Sequence, residues 1–146
     1  MNKFMKIAID EAYEGIRNGH GGPFGCVITK GDIVVGRGHN QVVRNNDCTC
    51  HGEIMAIRDA CKNLGTFDLS GCELYTTSAP CPMCNGAIKW ANINHVFVGC
   101  NIYDAEDIGF RDKEFYENPL DVVTIDRDEC LELFEDYKNI EGKTHY

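Results

Sequence analysis

Thr49-Cys50-His51-Gly52-Glu53 and Pro80-Cys81-Pro82-Met83-Cys84 are the two stretches on which the reading of this chain turns. Each opens a run with helical periodicity. Gly52 to Asn63 repeats apolar residues at Ile54, Ile57 and Cys61, and Pro82 to Ala91 begins with a proline suited to a first helical turn. Between them, Cys72 to Ser78 reads as a strand. The 30 residues from His51 to Cys81 therefore span one helix and one strand, enough chain to set two helix starts side by side at one end of a sheet.

The flanking sequence extends the same alternation. Met1 to Asn18 places Phe4, Ile7, Ala8, Ala12 and Ile16 at helical spacing, and Gly19, Gly21, Gly22 and Pro23 end that helix. Phe24 to Lys30 and Ile33 to His39 form a hairpin about Gly31-Asp32. His95 to Asn101 and Leu120 to Ile125 read as strands, and Asp126 to Asn139 as a helix with Asp126 and Glu129 placed like a capping pair. Asp104 to Asn118 is polar and fits no single pattern, and Ile140 to Tyr146 reads as a tail. Strands alternating with helices predict one α/β domain over residues 1–146, a three-layer αβα sandwich, and the opening hairpin makes its five-stranded sheet mixed.

The chemistry lies in the two quoted stretches. Two cysteines three apart at a helix start turn both sulfurs toward one point, where exposed N–H groups and the positive helix end favour thiolate. His51, at the preceding helix start, adds a nitrogen. One nitrogen and two thiolates suit zinc and leave a fourth tetrahedral position open, the arrangement of a catalytic zinc. At such a site the pKa of water falls to about 7. Glu53, two residues from His51, reaches that position without ligating and is placed as a proton shuttle.

Composition narrows the substrate. The 146 residues carry a formal charge of −9, and residues 104–146 hold 14 acidic against five basic side chains. An acidic surface opposes polyanions, because nucleic-acid affinity rests on Lys and Arg displacing counterions. A neutral small molecule fits better. No apolar run approaches the ~18–20 residues of a membrane span, and Asp10 and Glu11 interrupt any signal-peptide core, so a cytoplasmic protein without membrane partners is expected. The nine cysteines are odd in number; reduced thiols, some ligating metal and most in the core, are the expectation.

The H-x-E and P-C-x-x-C pair resembles the signature of the zinc-dependent cytidine deaminase-like superfamily. Within it, the chain is most similar to small bacterial guanine deaminases, through Gly21-Gly22-Pro23-Phe24-Gly25, Gly38-His39-Asn40, Asn46-Asp47, Gly86-Ala87-Ile88, Trp90-Ala91, Gly109-Phe110-Arg111-Asp112 and the terminal Tyr146. The resemblance implies one zinc held by His51, Cys81 and Cys84, Glu53 as proton shuttle, Phe24 against the purine face, and Asn40 and Asp112 on its edge, with Asp112 also assisting the proton relay. It further implies a homodimer that exchanges a C-terminal segment, about residues 120–146, so that Tyr146 closes a neighbouring subunit's pocket. Two positions depart from the pattern: Gly52 stands where alanine is usual, and Ala79 where glutamate is usual.

Each residue also has a plainer reading. A C-x-x-C pair alone suits a redox dithiol, though no thioredoxin context accompanies it here. Cys48 or Cys50 could close a structural zinc site, which would leave Glu53 without a role. Taken singly, Phe24 is a core residue, Asn40 a turn brace, Asp112 a solvated carboxylate and Tyr146 a frayed end. His20, His39, His95 and His145 show no partner pattern, and Trp90 reads as core. The expectation is zinc-dependent hydrolysis of guanine to xanthine and ammonia. The alternatives are a guanosine or cytosine deaminase, a tRNA adenosine deaminase, or a zinc-stabilised binding module without activity.

Overall fold

The computed structural model describes residues 1–146. Helix α1 (Lys3–Arg17) starts on Asn2, whose side-chain oxygen accepts from the Phe4 and Met5 N–H groups at 2.9 and 3.0 Å. Strands β1 (Gly25–Lys30) and β2 (Ile33–His39) pair antiparallel about Gly31, which turns at φ +60°. A single-turn helix α2 (Val42–Asn45) precedes α3 (Gly52–Leu64), β3 (Glu73–Ser78), α4 (Pro82–Trp90) and β4 (His95–Cys100). Two short helices, α5 (Ile102–Asp107) and α6 (Asp112–Glu117), occupy the polar stretch that fitted no single pattern, and α7 (Arg127–Lys138) follows. No helix is long and apolar enough to cross a membrane.

The sheet runs β2-β1-β3-β4, with β1 antiparallel to both neighbours and β3 parallel to β4 across the α4 connection. Side chains alternate across it. Cys26, Ile28 and Leu74 face α3 and α4, where Ala56, Ala60, Ile88 and Ile93 complete the core. On the other face Phe4 of α1 meets Tyr75 with ring centroids 5.3 Å apart. Glycines permit the close approach of helices. A Cβ on Gly25 would lie within bonding distance of the Ala8 carbonyl of α1, and one on Gly36 would lie 2.5 Å from the Ala56 carbonyl of α3. The result is the expected helix–sheet–helix sandwich on a mixed sheet.

Three expectations need correction. The sheet has four strands: Leu120 to Ile125 forms no ladder, and Leu120, Val122, Val123 and Ile125 are about three-quarters or more exposed. Its β-branched character is real, but a strand exists only where an edge accepts it, and within this chain the segment leads away from the sheet into α7. Asp126 takes the left-handed conformation, φ 49°, and its side chain caps nothing. Trp90 is 68 % exposed at the end of α4. Of the cysteines, five are buried and Cys48, Cys100 and Cys130 are exposed; all nine are free thiols.

Candidate active site

Three chain directions converge at one end of the sheet: the end of β2, the start of β1 and the carboxyl end of β3. Register puts them there, since Gly25 pairs with His39 and Cys26 with Thr76. Beyond β2, α2 carries the chain to His51, the N-cap of α3. Beyond β3, the chain reaches Cys81, the N-cap of α4, with Pro82 in the first turn. Two helix N-termini therefore face one point, as the spacing predicted.

His51 Nδ1 lies 3.5 Å from both the Cys81 and the Cys84 sulfur, and the three ligand atoms fall within 4.8 Å of one another. A tetrahedral zinc with Zn–S of about 2.3 Å and Zn–N of about 2.0–2.1 Å needs an N···S separation of about 3.5 Å. The donor set and its spacing fit that ion. The Cys84 thiol and backbone N–H donate to the Cys81 sulfur, and with His51 beside it they lower the Cys81 thiol to about 4. Hydrogen bonding to Cys81, burial and the neighbouring Glu53 carboxylate push Cys84 up. The hydrogen bond to the Cys81 sulfur raises His51. Concentrated negative charge on the sulfurs is what a dication relieves. Cys50 is turned away toward the Asn45 amide and Arg58, at 3.5 and 3.9 Å, and Cys48 is not part of the ligand cluster.

Glu53 is 6 % exposed and receives the Thr76 hydroxyl at 2.9 Å. Burial pushes its carboxyl above the usual range, and hydrogen bonds from its own N–H, Thr76 and Cys84 pull the other way. The same Thr76 oxygen is 3.0 Å from the Ser78 carbonyl, so one hydroxyl proton serves two acceptors.

A cavity of about 800 Å³ opens over this centre, and His51, Glu53, Cys81, Phe24, Asn40 and Asp112 all line it. The Asn40 side-chain oxygen accepts from the Val42 N–H at 3.1 Å, which leaves its NH₂ for a ligand. Phe24 is braced edge-on by Phe110, centroids 4.7 Å apart at 79°. Asp112, half-buried at the start of α6, is pushed up by burial and by the Cys81 charge. Tyr116, one turn on, donates to the Pro80 carbonyl at 2.7 Å and ties α6 to the cysteine loop. Thr76 and Ser78 were not singled out from the sequence, and Phe110 entered only within the Gly109-Phe110-Arg111-Asp112 motif, without a role of its own. Thr76 and Ser78 alternate along β3, and that period-2 spacing before Cys81 was the available signal. Tyr146 is not at this cavity; its ring sits 5.9 Å from Trp90 and 6.0 Å from Phe67.

Residues 1–100 match the family described as the cytidine and deoxycytidylate deaminase zinc-binding region. The chain belongs to this family. The family is a zinc-binding one, and His51, Cys81 and Cys84 are the group of side chains here that could hold such an ion. The chain is 40 % identical to a guanine deaminase of Bacillus subtilis over 98 % of its own length and 97 % of that protein's. It is 34 % identical to a cytosine deaminase of Candida albicans over 90 % of its length and 84 % of the relative's. An X-ray structure of guanine deaminase from Bacillus subtilis superposes with a TM-score of 0.91 at 41 % identity, covering 100 % of this chain and 99 % of the other. A Cβ on Gly52 would stand 3.1 Å from the Phe24 carbonyl, just before β1.

Proposed function

We propose that the protein is a guanine deaminase, converting guanine and water to xanthine and ammonia. The observation that carries this reading is the likeness to a guanine deaminase along the whole chain, residues 101–146 included, where the family match has ended. That last third delivers Asp112 and Phe110 to the cavity.

His51, Cys81 and Cys84 would hold the zinc, which would supply Lewis acidity to lower the pKa of water toward neutrality. Guanine enters with its C2 edge toward Glu53. Phe24 covers the ring face, the Asn40 amide donates to a ring acceptor, and Asp112 accepts an N–H from the ring. Glu53 takes the proton of the attacking water and passes it to the neighbouring ring nitrogen. As the C2–N bond breaks, Glu53 takes the second proton from the hydroxyl now on C2 and returns it to the departing amino group, so that the C2 carbonyl forms and ammonia leaves. Burial of Glu53 suits it to both duties, since a carboxyl with a raised pKa gives up its proton nearer neutrality. The acidic last third argues against a tRNA substrate.

The assembly proposed with this activity is a cytoplasmic homodimer that exchanges about residues 120–146. It is supported by the unladdered 120–125 segment, by α7 burying none of its residues, and by the place of Tyr146 outside its own chain's cavity. In that assembly Tyr146 closes a partner's pocket. Following guanine absorbance with zinc-loaded protein tests the activity: conversion to xanthine supports it, and persistence of guanine refutes it.

A further inference from the structure

Glu11 is a carboxylate on the buried face of α1, 7 % exposed, and the chemistry above does not use it. It meets His39, 5 % exposed, whose Nδ1–H donates to Glu11 Oε2 at 2.7 Å. His39 Nε2 in turn lies 2.8 Å from His20 Nδ1, and the two rings stack at 15°. Arg37 Nε donates to the other Glu11 oxygen. With His39 as a neutral ring, the Nδ1–H it donates to the carboxylate leaves Nε2 as acceptor, and His20 then donates from Nδ1. Partial burial and the nearby Arg44 hold His20 below its usual range, which suits a neutral donor.

The row has a built socket and a defined end. A Cβ on Gly15 would stand 2.7 Å from the His39 ring, so glycine there makes room for it. At the far end, the His20 backbone is bound on both sides. Its N–H donates to the Gly15 carbonyl at 2.9 Å, and its carbonyl accepts from the Val43 and Arg44 N–H groups, both at 3.0 Å. Those two donors belong to α2, which otherwise lacks a side-chain cap. Val42 and Val43 of α2, Gly21 and Gly22 after His20, and Asn40 after His39 all line the cavity. A Cβ on Gly21 would stand 2.1 Å from the Asn40 side-chain oxygen, so the loop and the amide are in contact.

We infer that Glu11, His39 and His20 form a positioning row that fixes the substrate-binding wall of the cavity, holding α2 and the Asn40 amide in register with the purine edge. They touch no substrate. They act through Asn40 and the Val42–Arg44 backbone. This rests on the guanine reading for its kinetic consequence, but its structural content stands apart from the substrate.

The test compares native protein with His20→Leu, which removes the donor, and His20→Gln, whose side-chain N–H can still reach His39. Zinc content, guanine kinetics and residue-level amide exchange are read on each, in zinc-loaded full-length protein. In His20→Leu, zinc stays at one per chain and kcat changes by less than about twofold. KM rises about tenfold, the effect of one hydrogen bond of ~1.4 kcal/mol. Amide exchange at Asn40 and Val42 to Arg44 accelerates about tenfold, while α4 is unchanged. His20→Gln recovers both to within about threefold of native. Native KM with native exchange in His20→Leu overturns the inference. So does a loss of zinc and a lowered Tm in both variants, with no recovery by glutamine, since that is a merely structural role. A native protein that leaves guanine untouched refutes the substrate reading alone, and the exchange measurement still decides the row.

Discussion

Replacing Glu53 by glutamine separates proton transfer from everything else the site does. The amide has the shape of the carboxyl, and its oxygen can still receive the Thr76 hydroxyl that now lies 2.9 Å from Glu53. It leaves the His51, Cys81 and Cys84 cluster intact. What it removes is the capacity to accept and return a proton. General acid–base catalysis contributes about 10²–10⁴-fold per transfer. Glu53 is assigned both the water proton and the leaving-group proton, so the loss belongs at the upper end, about 10⁴-fold in kcat or ~5.4 kcal/mol of barrier. KM should move by less than about threefold, because the purine contacts are made by Phe24, Asn40 and Asp112. In metal-free protein stability should rise, because a buried carboxyl whose pKa is raised on folding destabilises the fold at any pH where the unfolded chain is ionised. The assay is steady-state guanine turnover with zinc quantified in the same sample, and a thermal melt beside it. A zinc-replete Glu53→Gln protein retaining more than about a tenth of native kcat would refute the shuttle assignment, since no positioning loss imitates that result.

Removing zinc with a chelator should abolish turnover and lower the Tm. An ion present at about 100 times its Kd contributes ~2.7 kcal/mol to the folded state, so unchanged melting after verified metal removal would contradict the site. Gly25→Ala drives a Cβ into the Ala8 carbonyl and to 2.7 Å from the Ala12 nitrogen. It should cost about 2–3 kcal/mol and lower the Tm by about 5–10 °C, checked by denaturant titration. Sedimentation should give about twice the 16.4 kDa chain mass. Deleting Tyr146 should raise KM for guanine about tenfold, the worth of a lost pocket contact, with zinc content and dimer mass unchanged. Monomeric mass at assay concentration, or an unaltered KM, would remove the tail from the site.

Much of this was legible in the residue order because the deciding elements carry strong local signals. The apolar spacing of Phe4, Ala8 and Ala12, the hairpin at Gly31, and the proline after Cys81 each name their element without tertiary help. His51, Glu53, Cys81 and Cys84 were legible for the same reason: helix starts aim side chains predictably, and the intervening helix and strand fix how far apart those starts can be. The failures share a different cause. α2 is four residues long and depends on the His20 carbonyl, which is a neighbour only in the folded chain. Leu120 to Ile125 has the composition of a strand and no edge to pair with inside its own chain. Histidines 20 and 39 showed no pattern because they pair with each other 19 residues apart, and His39 with Glu11 28 residues away. The one signal was a carboxylate on the apolar stripe of α1, between Ala8 and Gly15, where a charge must have a partner.

Hydrolysis of a free purine base is the activity proposed for this site. Its most direct measurement is the ultraviolet spectrum of guanine with zinc-loaded protein over time, with ammonia quantified in parallel. Loss of guanine, growth of xanthine, and one ammonia for each xanthine formed are the expected result. Guanine that persists unchanged with zinc-replete, folded protein, while cytosine, guanosine or a tRNA adenosine releases ammonia under the same conditions, would contradict it.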